Sequence, residues 1–139
     1  MENKTKEFII SSNPSPAEIV EQLAYVTNTI AFLTEQISKL KNIVADAEDY
    51  YKQLCDEKYL MYSDEYPRTN QVKLKALVNT DDDVVKAKAV LQEAKAKLVI
   101  AEGNYKSWDN RYITLRKIGT LKTVEMADNW VNQQAAKAQ

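Results

Sequence analysis

This 139-residue chain has no histidine, one cysteine, two glycines and three prolines. Without histidine it lacks the usual general base near neutral pH and the commonest metal ligand. Cys55 has no second thiol to bridge, so an internal disulfide framework or a cysteine-rich zinc site is excluded within one chain. Such sparing cysteine usage fits a reducing compartment. A Gly-rich phosphate loop and a nucleophile motif are also missing, so the expectation is a protein without enzymatic chemistry, cofactor or metal. No apolar run approaches the ~20 residues of a membrane span, and Met1 to Ile10 lacks a signal-peptide layout. A cytoplasmic protein with no membrane partner is expected, in the host cytoplasm if a phage encodes it.

What is present is helical pattern. Charged residues make up 28% of the chain, a profile of the Ala/Glu/Lys/Leu type, and the length is that of one domain. Ile19, Val26, Leu33, Leu40, Ala47, Leu54 and Met61 recur every seven residues. Leu23, Ile30, Ile37, Val44 and Tyr51 interleave with them. An α-helix turns ~100° per residue, so alternating spacings of three and four draw one apolar stripe along a single face. Further on, Val84, Leu91, Leu98, Tyr105 and Tyr112 form one column, and Ala87, Ala94, Ala101, Trp108 and Leu115 form another. Two stripes that cannot stay wet predict an all-α fold: a long antiparallel helical hairpin with coiled-coil packing.

Local signals set the expected boundaries. Residues 1–14, with Phe8-Ile9-Ile10, read as a flexible arm or docking segment. Ser15-Pro16-Ala17-Glu18 is a capping box that starts a helix over 15–62, roughly 70 Å long. Pro67 ends it, and 63–79 is a crossover in which Val72, Leu74, Leu77 and Val78 suffice for a short helix. A second long helix spans 80–118. Asp81, Asp82 and Asp83 in its first turn complement the positive end of the helix dipole. As a cation site the triplet is weaker, because adjacent residues on a helix point in different directions. Gly119 interrupts, a short C-terminal helix follows over 120–133, and the tail beyond it frays.

Apolar residues also lie off the seam. Tyr25, Phe32, Val99, Ile100, Ile113, Leu121, Val124 and Trp130 would stay wet in a lone hairpin. Contiguous exposed apolar surface marks an interface, so a homo-oligomer is expected. The alternative is that the C-terminal helix folds back over part of this surface.

Net charge is −1, but it is unevenly spread. Pro16 to Tyr62 carries eight acidic and four basic residues; Ser63 to Lys117 carries eight acidic and eleven basic. Arg68, Lys73, Lys75 and Lys86 belong to that basic half. Tyr59, Tyr62 and Tyr66 come just before these cations, with Lys52 and Lys58 upstream. Cations beside aromatic rings suit single-stranded nucleic acid, which offers phosphates and unstacked bases. Lysines also simply solvate helices, and the tyrosines equally suit core packing at the hairpin tip. Lys58 falls in the apolar column itself, where a charge weakens the seam.

A heptad helix, a Tyr62-Ser63 break, a Lys-rich crossover and Ala76-Leu77-Val78-Asn79-Thr80-Asp81-Asp82-Asp83-Val84-Val85-Lys86 then follow in order. From about Asp49 to Trp130 this resembles the UvsY-type recombination mediators of T-even-like phages. The N-terminal arm with Pro14 and Pro16 has no counterpart in that pattern. The resemblance implies an oligomer that binds single-stranded DNA, helps displace the single-strand-binding protein and loads a RecA-like recombinase. It implies that Lys52 and Lys58 contact DNA and that the segment after Gly119 supports assembly. The competing expectation is a helical protein-interaction module, such as an inhibitor or assembly adaptor, working without nucleic acid.

Overall fold

The computed structural model describes residues 13–138. They are all-helical: α1 (Pro16–Glu65), α2 (Gln71–Thr80) and α3 (Asp82–Lys137), with no strand among the described residues. The proposed arm lies almost wholly outside the described residues.

Each boundary has a local cause. The Glu18 amide donates to the Ser15 hydroxyl at 3.1 Å, which satisfies one of the orphan donors at the start of α1. Pro67 disfavours helical backbone at Tyr66, so α1 runs to Glu65 rather than stopping at Tyr62. The Tyr66 amide still closes on the Tyr62 carbonyl at 2.9 Å, and a turn from Thr69 back to Tyr66 redirects the chain. The crossover condenses into α2, whose Asn70 side chain caps the Lys73 amide at 2.9 Å.

The second long helix begins two residues later than expected. Thr80 ends α2, with its hydroxyl bonded back to the Ala76 carbonyl at 2.8 Å. Asp81 is the junction: its own amide donates to the Val78 carbonyl of α2, while its carboxylate accepts from Asp83 and Val84 of α3.

The expected break at Gly119 and separate helix over 120–133 do not occur, because α3 continues to Lys137. A single glycine costs a helix interior only about 1 kcal/mol, and the flanking turns hold. Thr120 and Thr123 donate hydroxyls to the Arg116 and Gly119 carbonyls at 3.0 and 2.9 Å. The expected fraying tail is likewise helical as far as Lys137. A methyl group built at Gly119 would sit 3.5 Å from an Ile19 methyl, ordinary contact distance. Gly119→Ala is therefore expected to stabilise the chain by about 0.5–1 kcal/mol in denaturant titration; destabilisation would contradict a continuous helix there.

Contacts divide the chain into two compact units. One joins residues up to Ile30 with those from Ser107 onward, and the other holds Ala31–Lys106. In the first, Ile19, Val26 and Leu115 are buried. Tyr25, expected to be open, instead meets Trp108 edge-on with ring centroids 5.7 Å apart, and Arg111 lies 4.4 Å over the Trp108 ring. In the second, Leu74 and Val78 of α2 are buried, as are Val84, Ala87, Leu91, Ala94 and Ala101 of α3. The three alanines lie on one face at seven-residue spacing, where small side chains permit close helix approach.

Candidate nucleic-acid interface

The residues expected to contact nucleic acid fall into two groups, both within the Ala31–Lys106 unit. The first is a pinned cluster at the α2–α3 junction. The Asp81 carboxylate uses one oxygen for the Asp83 and Val84 amides, at 2.9 and 3.4 Å. Its other oxygen accepts the Tyr62 hydroxyl at 2.7 Å and faces the Lys58 ammonium at 3.5 Å. Lys58 also pairs with Asp83 at 3.1 Å. With side-chain exposures of 19% for Lys58 and 9% for Asp81, this pair is sheltered from solvent. The charge that breaks the apolar column of α1 thus has a partner, two carboxylates at the start of α3.

The electrostatics follow from the contacts. The Tyr62 hydrogen bond, then the two backbone amides and Lys58, hold the Asp81 carboxyl below its ordinary value of 3.8, against desolvation. Asp83 first, and Asp81 with it, raise Lys58 above 10.5. The bond to Asp81 raises Tyr62 above 10.0. A carboxyl depressed by folding contributes fully above its unfolded value and loses that contribution as pH falls through its folded value. The raised Lys58 and Tyr62 contribute fully below about 10 and lose it as pH rises through their folded values. Asp81→Asn keeps an acceptor for Tyr62 and the caps but removes the charge. It is expected to lower Tm at neutral pH and to flatten the acid limb below pH 4 relative to the native chain. Parallel melts from pH 2 to 7 check this; identical acid limbs would contradict it.

The second group is open. Tyr66 and Lys73 line one groove of about 390 Å³ with Thr69, Ala76, Leu77 and Thr80. Tyr66 is exposed, as are Arg68, Lys75 and Lys86. None of Arg68, Lys73, Lys75 and Lys86 makes an ion pair among the described residues, since the ion pairs there involve Lys39, Lys52, Lys58, Lys97 and Lys122. Lys52 is exposed but paired along its own helix with Glu48 at 3.5 Å. Tyr59 is half-buried.

The predicted interface residues Phe32, Val99, Ile100, Ile113, Leu121, Val124 and Trp130 are all exposed. Leu33, Leu40 and Ile100 line a groove of about 380 Å³ along α1 and α3 in the Ala31–Lys106 unit, with Lys39 and Lys97 among its polar lining. Among the described residues no three His, Cys, Asp or Glu side chains gather as a metal site. None of the described helices is long and apolar enough to cross a membrane. Sequence reasoning marked Lys58 as anomalous but missed Asp81 and Asp83 as its partners; the only signal was a cation in an apolar column. No family model matches the chain, and neither a curated protein nor a solved structure is similar to it.

Proposed function

We propose that this chain is a non-enzymatic recombination mediator: a homo-oligomer of antiparallel helical hairpins that binds single-stranded DNA. In this reading it helps displace the single-strand-binding protein and loads a RecA-like recombinase, as a phage-encoded protein of the host cytoplasm. The observation that carries the DNA-binding part is the groove shared by Tyr66 and Lys73; Arg68, Lys75 and Lys86 are exposed as well, and none of these four cations pairs with a carboxylate among the described residues. An exposed ring offers a stacking face, and unpaired ammonium and guanidinium groups offer phosphate contacts. The phosphate-binding role moves from Lys58, whose charge two carboxylates already meet, to Arg68, Lys73, Lys75 and Lys86.

The antiparallel hairpin is supported within the first unit by the contact order. Asn13 meets Lys122, Ile19 approaches Gly119 and Tyr25 packs on Trp108, so later residues of α1 meet earlier residues of α3. Assembly is supported by the exposed apolar side chains beside the Leu33/Ile100 groove. A weak patch repeated on each subunit becomes a multivalent surface along a strand. The same apolar faces favour the second reading, a protein-interaction module that needs no nucleic acid. Light scattering coupled to size exclusion, with and without a single-stranded oligonucleotide, separates the two. The mediator reading expects a multiple of the chain mass that carries the oligonucleotide. An oligomer that never carries it leaves only the interaction module, and a monomer removes the assembly claim.

A further inference from the structure

We infer that α3 pairs with α3 of a second copy of this chain, antiparallel about a two-fold axis near Leu121, through the face that points away from α1. Leu115 is buried and Gly119 lies against Ile19, which fixes the side of α3 that α1 covers. At ~100° per residue, Val124 falls about 180° round the helix from Leu115. Ile113, Lys117, Leu121, Asp128 and Val131 fall within about 60° of Val124, so they share its face. The apolar members of this stripe are wet: Ile113 is 43% exposed, Leu121 69%, Val124 54% and Val131 57%. Ile113, Lys117, Thr120 and Leu121 line a shallow hollow of about 520 Å³ whose walls all come from α3. Every residue of the stripe belongs to the compact unit that runs from Ser107 onward.

Charge and spacing name the occupant. Lys117 lies toward one end of the stripe and Asp128 toward the other; both are exposed, and neither makes an ion pair among the described residues. Laid antiparallel on itself, the stripe is self-complementary. Ile113 then meets the partner's Val131, Leu121 meets the partner's Val124, and Lys117 meets the partner's Asp128. A two-fold axis repeats each of these contacts, as an isologous interface requires. A parallel pairing in register would instead set lysine on lysine and aspartate on aspartate, and like charges reject that arrangement. A foreign helix could cover the apolar residues, but it would leave unexplained why one end of the stripe complements the other. This pairing rests on the homo-oligomer reading and gives that assembly a specific contact; the Tyr66/Lys73 groove takes no part in it.

Two full-length variants test the register, each in a Cys55→Ser background with one new cysteine, Ile113→Cys or Val131→Cys. Co-expressed and oxidised, they are expected to give a covalent dimer that joins one of each, because the two positions face each other. Either variant alone should not cross-link, since its two thiols lie about 27 Å apart along the antiparallel pair, far beyond disulfide reach. Lys117→Glu should weaken assembly about 3- to 30-fold in sedimentation at falling concentration, and Asp128→Lys should do the same. Combining the two substitutions should restore it, with helix content unchanged throughout. An assembled protein whose mixture gives no joined dimer, whose single variants cross-link to themselves, or whose charge swap brings no rescue overturns this pairing and leaves the homo-oligomer reading standing. A chain that stays monomeric at every concentration removes both.

Discussion

Leu115→Ala is expected to lower the unfolding free energy by about 2–5 kcal/mol. Val72→Ala, although it also trims a branched aliphatic side chain, should stay within about 0.5 kcal/mol. The difference lies in burial. Leu115 is 1% exposed in the unit that also buries Ile19 and Val26, so its removal leaves a cavity and forfeits close-packed contacts. Val72 is 78% exposed on the first turn of α2, and alanine there even suits a helix better. Denaturant titration followed by circular dichroism at one fixed protein concentration measures both, since assembly makes apparent stability concentration-dependent. Equal losses at the two positions would mean that the seven-residue seam is not what holds the helices together.

Tyr66→Ala should weaken single-stranded DNA binding by about 1–3 kcal/mol, or roughly 5- to 150-fold, the range for loss of one base–aromatic stack. The unpaired cations make a different prediction. If Arg68, Lys73, Lys75 and Lys86 of one subunit each neutralise a phosphate, log affinity should fall with log salt at a slope of about −3 per subunit. Replacing any one of them by Gln should reduce that slope by about 0.7. Lys58→Gln behaves otherwise: it removes the partner of Asp81 and Asp83, so its main effect should be a lower Tm with the salt slope kept. Anisotropy titrations at several salt concentrations, paired with melts, separate the two kinds of lysine. A Lys58 variant that loses salt dependence while keeping its Tm would restore Lys58 to the DNA surface.

How much was legible in the sequence depended on whether the cause was local. The seven-residue columns named the buried positions of α3, because helical periodicity is a property of one segment. Ser15 and the Asp triplet marked helix starts, since an N-cap acts within three residues. Gly119 misled because its propensity cost is small beside what a long packed helix recovers on either side. Lys58 and Tyr62 could not be assigned from pattern: Tyr62 and its acceptor Asp81 are 19 residues apart and meet only after the chain turns at Pro67 and again at Asp81. Local spacing marks a charge as out of place without naming what it meets. The same holds for the candidate site, where charge counting flagged the whole basic half. Only the ion pairs separated the occupied Lys58 from Lys73, which pairs with no carboxylate among the described residues.

In the proposed reading, the exposed Tyr66 ring and Lys73 at the α1–α2 corner hold an unstacked base and its phosphate. The most direct test is a competition in which the native protein, at low salt, chooses between a labelled single strand and the same sequence as a duplex. Preference for the single strand, lost in Tyr66→Ala, is the result expected, because a duplex hides its base faces from Tyr66. Equal affinity for both forms, or no affinity for either in a folded protein, would contradict it.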